Sequence, residues 1–178
     1  EPVAFEVGFG RPVDDSGEAL ATADPLFLDL GGGRRLVVAG RIDRIDRLVP
    51  PHPMMKAGAS APASYRIVDY KTGRFNPGNY SGTFRRGTLL QHALYGQAAA
   101  RLLKPVDGRA TVVEGVYWHP TGRGWGRRAS IATPSRGALE QVLTRLCDVI
   151  DAGVFLQAPE RKENGVKRDA CRYCDFRA

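Results

Sequence analysis

Between Lys71 and Arg136 the chain has only two acidic side chains, Asp107 and Glu114, against eleven lysines and arginines. Residues 1–70 carry eight basic and ten acidic side chains, and residues 137–178 carry seven of each. The net charge of +7 is therefore concentrated in the middle of the sequence. Such a segment suits a polyanion, and nucleic acid is the usual one. An arginine-rich solvated surface is the plainer alternative. Cysteine is also scarce: Cys147, Cys171 and Cys174 are the three. An odd number with a single C-x-x-C excludes a secreted disulfide framework and fits a reducing compartment with a metal or cluster site. No apolar run approaches the roughly 18 residues of a membrane span, and no basic-then-apolar leader opens the chain. A soluble protein of the cytoplasm is expected. No internal repeat is present. The chain opens at Glu1-Pro2 and stops at Ala178 just after a Cys pair, and both ends are expected to be cuts in a longer protein.

The 178 residues, 43% of them hydrophobic, suffice for one domain with a real core and a small appendage. "LFLDL" (26–30), "GGGRR" and "RLVVAGRIDRIDRLV" (35–49) read as a hairpin whose second arm is long enough to cross a sheet. Residues 50–64, rich in Pro and Ala, read as a flexible connection. "SYRIVDYK" (64–71) reads as a strand, and 72–87 as a loop with glycines at 73, 78, 82 and 87. The spacing of Leu90, Leu94, Ala98 and Leu102 predicts a helix over 87–104, stopped by Pro105. Strands are expected at 110–120 and 124–134. An amphipathic helix over 135–153 follows, capped by Ser135 and ended by Gly153. The tail, 154–178, reads as irregular. Strands followed by helices with a crossover connection suggest an α/β or α+β sandwich. The division expected is a core at 1–153 and a tail at 154–178.

Side chains two apart on a strand share a face, so Asp69 and Lys71 point one way and Val68 and Tyr70 the other. Val37, Ala39, Arg41 and Asp43 share a face on the preceding arm. If the two strands are neighbours, Asp43 meets Asp69 near one edge. Two converging carboxylates repel unless a cation lies between them, and Mg²⁺ is the natural one. Lys71 could then stabilise a nucleophile or a pentacovalent phosphate. Taken alone, the Asp69–Lys71 pair could equally be an exposed ion pair of little consequence. Gln91 and Tyr95, four apart on a helix, share a face that could cover this strand tip. The loop between them carries Arg74, Arg85 and Arg86 with Phe75, Tyr80 and Phe84. These residues suit single-stranded DNA, through phosphate contacts and base stacking, unless the aromatics simply pack beneath the loop. Cys147 follows Leu143 by four residues and reads as a buried thiol. His52, His92 and His119 have no zinc-ligand spacing to the C-x-x-C.

In order, "GRIDRID" (40–46), "IVDYKTG" (67–73) and "QHALY" (91–95) resemble the nuclease domain of the RecB/AddB-type PD-(D/E)XK family. They match its G-x-x-D strand, D-x-K strand and Q-x-x-x-Y helix, over roughly residues 35–100. The resemblance implies a restriction-endonuclease-like α/β core, a mixed central sheet flanked by helices. It implies a DNA exonuclease that hydrolyses phosphodiesters for double-strand break repair and recombination. Asp43, Asp69 and the Tyr70 backbone carbonyl would be ligands of Mg²⁺ or Mn²⁺. Lys71 would be the catalytic lysine, and Gln91 and Tyr95 would order the site. Arg74, Arg85 and Arg86 remain the candidate DNA contacts, and Arg44 and Asp46 read as structural support. "ACRYCDFRA" resembles the start of the C-x-x-C-x₅-C segment that holds a 4Fe–4S cluster in many family members. Cys171 and Cys174 would be two of its ligands, the others lying beyond this sequence. The partners implied are DNA ends and a helicase motor, in the same chain or a companion subunit of a bacterial protein. An H-x-x-x-E helix frequent in the family is missing ahead of "FEVGFG", where Glu6 is a further candidate. A catalytically silent DNA-binding or scaffolding domain of the same fold is the alternative, and a zinc-ribbon-tailed interaction module is another.

Overall fold

A computed structural model describes residues 1–12, 18–48 and 63–154, and the backbone of 161–163 and 166–168. The expected connection at 50–64 falls almost wholly outside the described residues, as do Cys171, Cys174, His52 and the side chain of Arg86. The chain divides into two compact units, residues 1–143 and 144–178.

In the first unit, strands β1 (Pro2–Phe9), β4 (Gly40–Leu48), β5 (Ser64–Tyr70), β6 (Thr111–His119) and β7 (Arg127–Ala132) form one sheet in the order β1-β4-β5-β6-β7. β5 and β6 are parallel and the other neighbours antiparallel. A parallel pair needs a crossover, supplied here by the loop after Tyr70 and helix α1 (Gln91–Leu103). The sheet is mixed and the class α/β, as expected.

The long arm read over 35–49 is two strands. β2 (Leu26–Gly31) and β3 (Arg34–Val38) form a separate hairpin, turning at Gly31, Gly32 and Gly33, whose φ angles of +81°, +57° and +77° favour glycine. The chain leaves that hairpin at Ala39, and β4 begins at Gly40. A Cβ on Gly40 would lie 3.0 Å from the Tyr95 ring and 3.1 Å from that of Phe9. That close approach sets the break, so Val37 and Asp43 do not lie on one continuous strand.

Helix α1 begins at Gln91, four residues later than expected, because Gly87 (φ +86°) ends a short 3₁₀ turn at Arg85–Gly87. Its fully buried positions are His92, Ala93, Gly96, Ala98, Ala99 and Leu103, whereas Leu90, Leu94 and Leu102 are only partly covered. The inward stripe is thus rotated from the leucine spacing toward small residues. Small side chains let the helix approach the sheet: a Cβ on Gly115 of β6 would lie 2.5 Å from His92 Cβ. Val7, Phe9, Leu28, Ile42, Ile45 and Ile67 fill the core beneath it. Helix α2 (Arg136–Asp151) starts where Ser135 Oγ accepts the Ala138 N–H at 3.2 Å, and adds Leu139 and Leu143 to that core. Gly153, at φ +65°, stands just past its end. Cys147 is half-buried rather than enclosed. The tail is not wholly irregular: β8 (Arg161–Glu163) and β9 (Val166–Arg168) pair as a short antiparallel hairpin. No helix among the described residues is long and apolar enough to cross a membrane.

Candidate active site

The antiparallel register of β4 and β5 pairs Arg44 with Val68, so the next step along it sets Asp43 opposite Asp69. The ladder stops there. Instead the Tyr70 N–H donates to Asp43 Oδ2 at 2.6 Å, a side chain taking the place of the next strand carbonyl. On the other side, the Lys71 N–H donates to the Trp118 carbonyl at 2.8 Å and extends the pairing with β6. The strand tip is held from both flanks, which fixes where residues 69 to 71 project.

Asp69 is buried, with Lys71 Nζ 2.6 Å from its Oδ2. The same ammonium donates to Gln91 Oε1 at 2.9 Å and lies 5.5 Å from the centroid of the Tyr117 ring. Burial pushes the Asp69 carboxyl up from its ordinary value; Lys71 pulls it back and the charge of Asp43 pushes it further up. Asp43, Asp69, Lys71 and Gln91 are therefore brought together. Tyr95 packs edge-on against Phe9, ring centroids 5.9 Å apart, on the neighbouring turn of the helix. Arg85 lines a small pocket of about 240 Å³ with Lys71, Tyr80 and Gln91. Arg74 opens onto a larger cleft beside it in sequence. Glu6 is exposed, with Arg41 Nη1 3.5 Å from its Oε2.

The loop aromatics pack on protein. Phe75 stacks on Tyr80, Tyr80 on Tyr117, and Phe84 lies against His92. His119, which spacing alone did not single out, ties this loop down. Its Nδ1 faces the Gly73 carbonyl at 2.8 Å and its Nε2 the Tyr80 hydroxyl at 2.7 Å. A carbonyl can only accept, so Nδ1 carries a proton and donates to Gly73. Tyr117 was also missed. Its hydroxyl accepts the His92 N–H at 3.1 Å and lies 3.3 Å from His92 Nδ1, fastening the start of α1 to β6.

Burial pushes His92 down from 6.5 to about 4. The unfolded chain therefore takes up the proton first on acidification. Stability is lost as pH falls from about 6.5 to about 4 and then levels off. His92→Gln cannot take that charge, so its thermal midpoint should fall less between pH 7 and pH 4.5. The difference is on the order of 2–3 kcal/mol. Parallel pH profiles for the two proteins would remove His92 from this account.

The donor set at the strand tip suits a divalent ion. Two carboxylates that repel each other supply hard oxygens, and strand geometry sends the Tyr70 carbonyl to the same side as its N–H, toward Asp43. Among the described residues no cluster of three His, Cys, Asp or Glu forms a fuller cage. Carboxylate and carbonyl oxygens are the hard donors that a divalent cation takes.

A family model described as the PD-(D/E)XK nuclease superfamily matches residues 1–178. The chain belongs to the PD-(D/E)XK nuclease superfamily. Nucleases of this superfamily generally use divalent metals. An ATP-dependent helicase/deoxyribonuclease subunit from Symbiobacterium thermophilum is 34% identical over 119 residues, 67% of this chain and 9% of that protein. The protein of the same name from Acetivibrio thermocellus is 38% identical over 74 residues, 41% of this chain and 5% of its own length. The matched stretch spans less than a tenth of either relative. As a PD-(D/E)XK nuclease domain related to helicase–nuclease subunits, the chain has D-x-K at Asp69 and Lys71, where the structure places a buried carboxylate 2.6 Å from a lysine ammonium.

Proposed function

We infer that this chain is the metal-dependent, DNA-cleaving domain of a bacterial helicase–nuclease. It would act as an exonuclease on DNA ends in double-strand break repair and recombination, in the cytoplasm and beside a helicase motor. One observation carries the reading: Lys71 is held between Asp69 (2.6 Å) and Gln91 (2.9 Å) at a strand tip facing Asp43. An ammonium fixed by a carboxylate and an amide keeps its position without rearranging, which is what stabilisation of a developing phosphate charge requires.

Asp43, Asp69 and the Tyr70 carbonyl would hold Mg²⁺ or Mn²⁺, whose chemistry when bound is Lewis-acid polarisation of phosphate oxygen and acidification of water. Lys71 offsets the charge that grows on the phosphate oxygens as water adds to phosphorus and the ester P–O bond breaks. One proton from that water ends on the departing sugar oxygen. Gln91 holds the Lys71 ammonium on the Asp69 side, and Tyr95 seats α1 against β1 and β4. Arg74, Arg85 and Arg86 would meet backbone phosphates. Cys171 and Cys174, outside the described residues, would furnish two of the four thiolates of a 4Fe–4S cluster.

Incubation of the intact protein with end-labelled DNA tests the reading. Cleavage should cease in chelator and return with Mg²⁺ or Mn²⁺, and the purified protein should contain iron and acid-labile sulphide rather than zinc. Cleavage that persists in chelator would overturn the metal assignment, and zinc without sulphide would overturn the cluster.

A further inference from the structure

Beside the strand tip lies a second, larger cleft of about 870 Å³, formed where the loop after Lys71 meets the turn between β6 and β7. Arg74 and Phe75 line it from the loop, and Arg123, Gly124, Trp125 and Arg127 from the turn. The lining contains no acidic residue. None of the three arginines is ion-paired with a described residue; Arg127 lies over the Phe75 ring at 5.9 Å. Three guanidiniums converging without a counter-charge repel one another, and a polyanion is what relieves them.

Trp125 is the more telling residue. Its side chain is 80% exposed, although indole gains more than most side chains from burial. It also adopts φ +57°, a left-handed conformation that costs a bulky residue about 1–2 kcal/mol. At that exposure, packing against the described residues recovers little of either cost. The turn is nevertheless well anchored. The N–H groups of Gly124 and Trp125 both donate to the Thr121 carbonyl, at 2.9 and 2.8 Å. Thr121 Oγ1 donates to the Thr72 carbonyl at 3.2 Å, and Gly124 is buried against His119, where a Cβ would overlap it. A rigid turn thus presents a bare indole face among arginines.

We propose that this cleft is a binding platform for single-stranded DNA, with Trp125 stacking on an unpaired base and Arg74, Arg123 and Arg127 meeting the flanking phosphates. The inference rests on the reading of the chain as a DNA nuclease and adds the strand state that the site accepts. Duplex bases keep both faces covered by their neighbours, so an exposed indole selects unpaired ones, whatever their sequence. Arg74 is three residues from Lys71, a span of at most about 10 Å of chain. A strand seated on the platform therefore runs within a few nucleotides of the catalytic lysine.

The test uses the intact protein, in chelator to prevent digestion, with fluorescein-labelled oligo-dT and a blunt hairpin duplex as probes. Trp125→Ala and Arg123→Glu should each weaken oligo-dT binding about tenfold, with a smaller effect on the duplex. Trp125→Phe should keep most of the affinity, because it keeps a stacking face. Arg123→Gln should lower the salt slope by about one unit. Because Trp125 and Arg123 are exposed, the thermal midpoints should match wild type, and the two alterations act independently. Unchanged oligo-dT binding in both Trp125→Ala and Arg123→Glu overturns the platform. So does retained DNA binding with loss of a companion protein, which would make the cleft a protein-docking site. The nuclease reading is judged separately, by cleavage with Mg²⁺: a protein that binds oligo-dT through Trp125 but cuts nothing keeps the platform and loses the enzyme.

Discussion

Asp69→Asn should lower DNA cleavage by the intact protein about 10²–10³-fold while leaving its thermal midpoint unchanged or raised. The two halves of this result have one cause. Burial lifts the Asp69 carboxyl above its ordinary value, so the folded protein binds that proton more tightly than the unfolded chain. Stability contributed by this group is then present at low pH and lost as pH rises past the folded value. At neutral pH the ionised side chain works against folding, and an amide of the same shape removes the penalty. Lys71, about a third exposed, keeps Gln91 as an acceptor and gains water in place of the carboxylate. Cleavage is lost because the amide carries no charge for a divalent ion. Lys71→Ala should lose cleavage to a similar degree through the opposite residue, since the charge on the reacting phosphate goes unmatched. It should also raise the Mg²⁺ requirement at low pH, because Asp69 loses the neighbour that does most to keep it ionised. Lys71→Arg should not rescue activity: a planar fork does not replace a point charge seated between a carboxylate and an amide. Single-turnover cleavage with thermal melts on the same samples checks this. Asp69→Asn cutting at the wild-type rate would end the assignment.

What made this site readable was a period of two. "IVDYK" alternates between core and tip, and the structure keeps that alternation: Ile67 faces the core, Asp69 and Lys71 follow on its side, and the Tyr70 ring lies against Trp118. Asp43 was legible as a candidate from its motif, but the contact that fixes it was not. A side chain accepting a strand N–H depends on where the β4–β5 ladder ends, at Arg44 and Val68, and no local residue pattern marks that point. The helix stripe failed for a related reason. Leucine spacing predicts which face is apolar, whereas the distance between helix and sheet decides which residues are buried most deeply. Here Gly115 and Gly96 bring the backbones close, so His92, Gly96 and Ala99 go inside and the leucines lie at the flanks. Trp125 left no periodic trace. Its position depends on how one turn sits against Thr72 and His119, residues about fifty apart or a few apart in sequence but adjacent in space.

Asp46→Ala should destabilise the protein by about 3 kcal/mol, the largest effect expected from a residue outside the catalytic group. Asp46 is 1% exposed. Arg44 Nε lies 2.7 Å from its Oδ1, and Arg66 Nε lies 3.0 Å from its Oδ2. Truncation leaves two guanidiniums facing each other across the space of a deleted carboxylate, and the nearly buried Arg44 cannot reach solvent easily. Arg44 keeps its hydrogen bond to the Tyr70 hydroxyl at 2.9 Å and its place over the Trp118 ring. Arg66 is more exposed and retains Glu114 at 3.6 Å. Those remaining partners hold the cost to the lower end of the range for a broken buried pair. At about 2–4 °C per kcal/mol for a chain of this size, the midpoint should fall by about 6–12 °C. Asp46→Asn, which keeps hydrogen-bond acceptance and loses only charge, should fall by less. The consequence reaches the active site through Tyr70. Arg44 holds the Tyr70 hydroxyl on one face of β5, while Asp43 holds the Tyr70 N–H at its edge. Asp46 orients the Arg44 guanidinium, so without it the bond to Tyr70 persists with a less fixed direction, and the residue between Asp69 and Lys71 is held less firmly. Cleavage by Asp46→Ala should therefore drop at temperatures well below its own midpoint, with kcat affected more than KM. A variant that melts early yet cuts normally when folded would show that Asp46 supports the sheet alone and not the geometry of the strand tip.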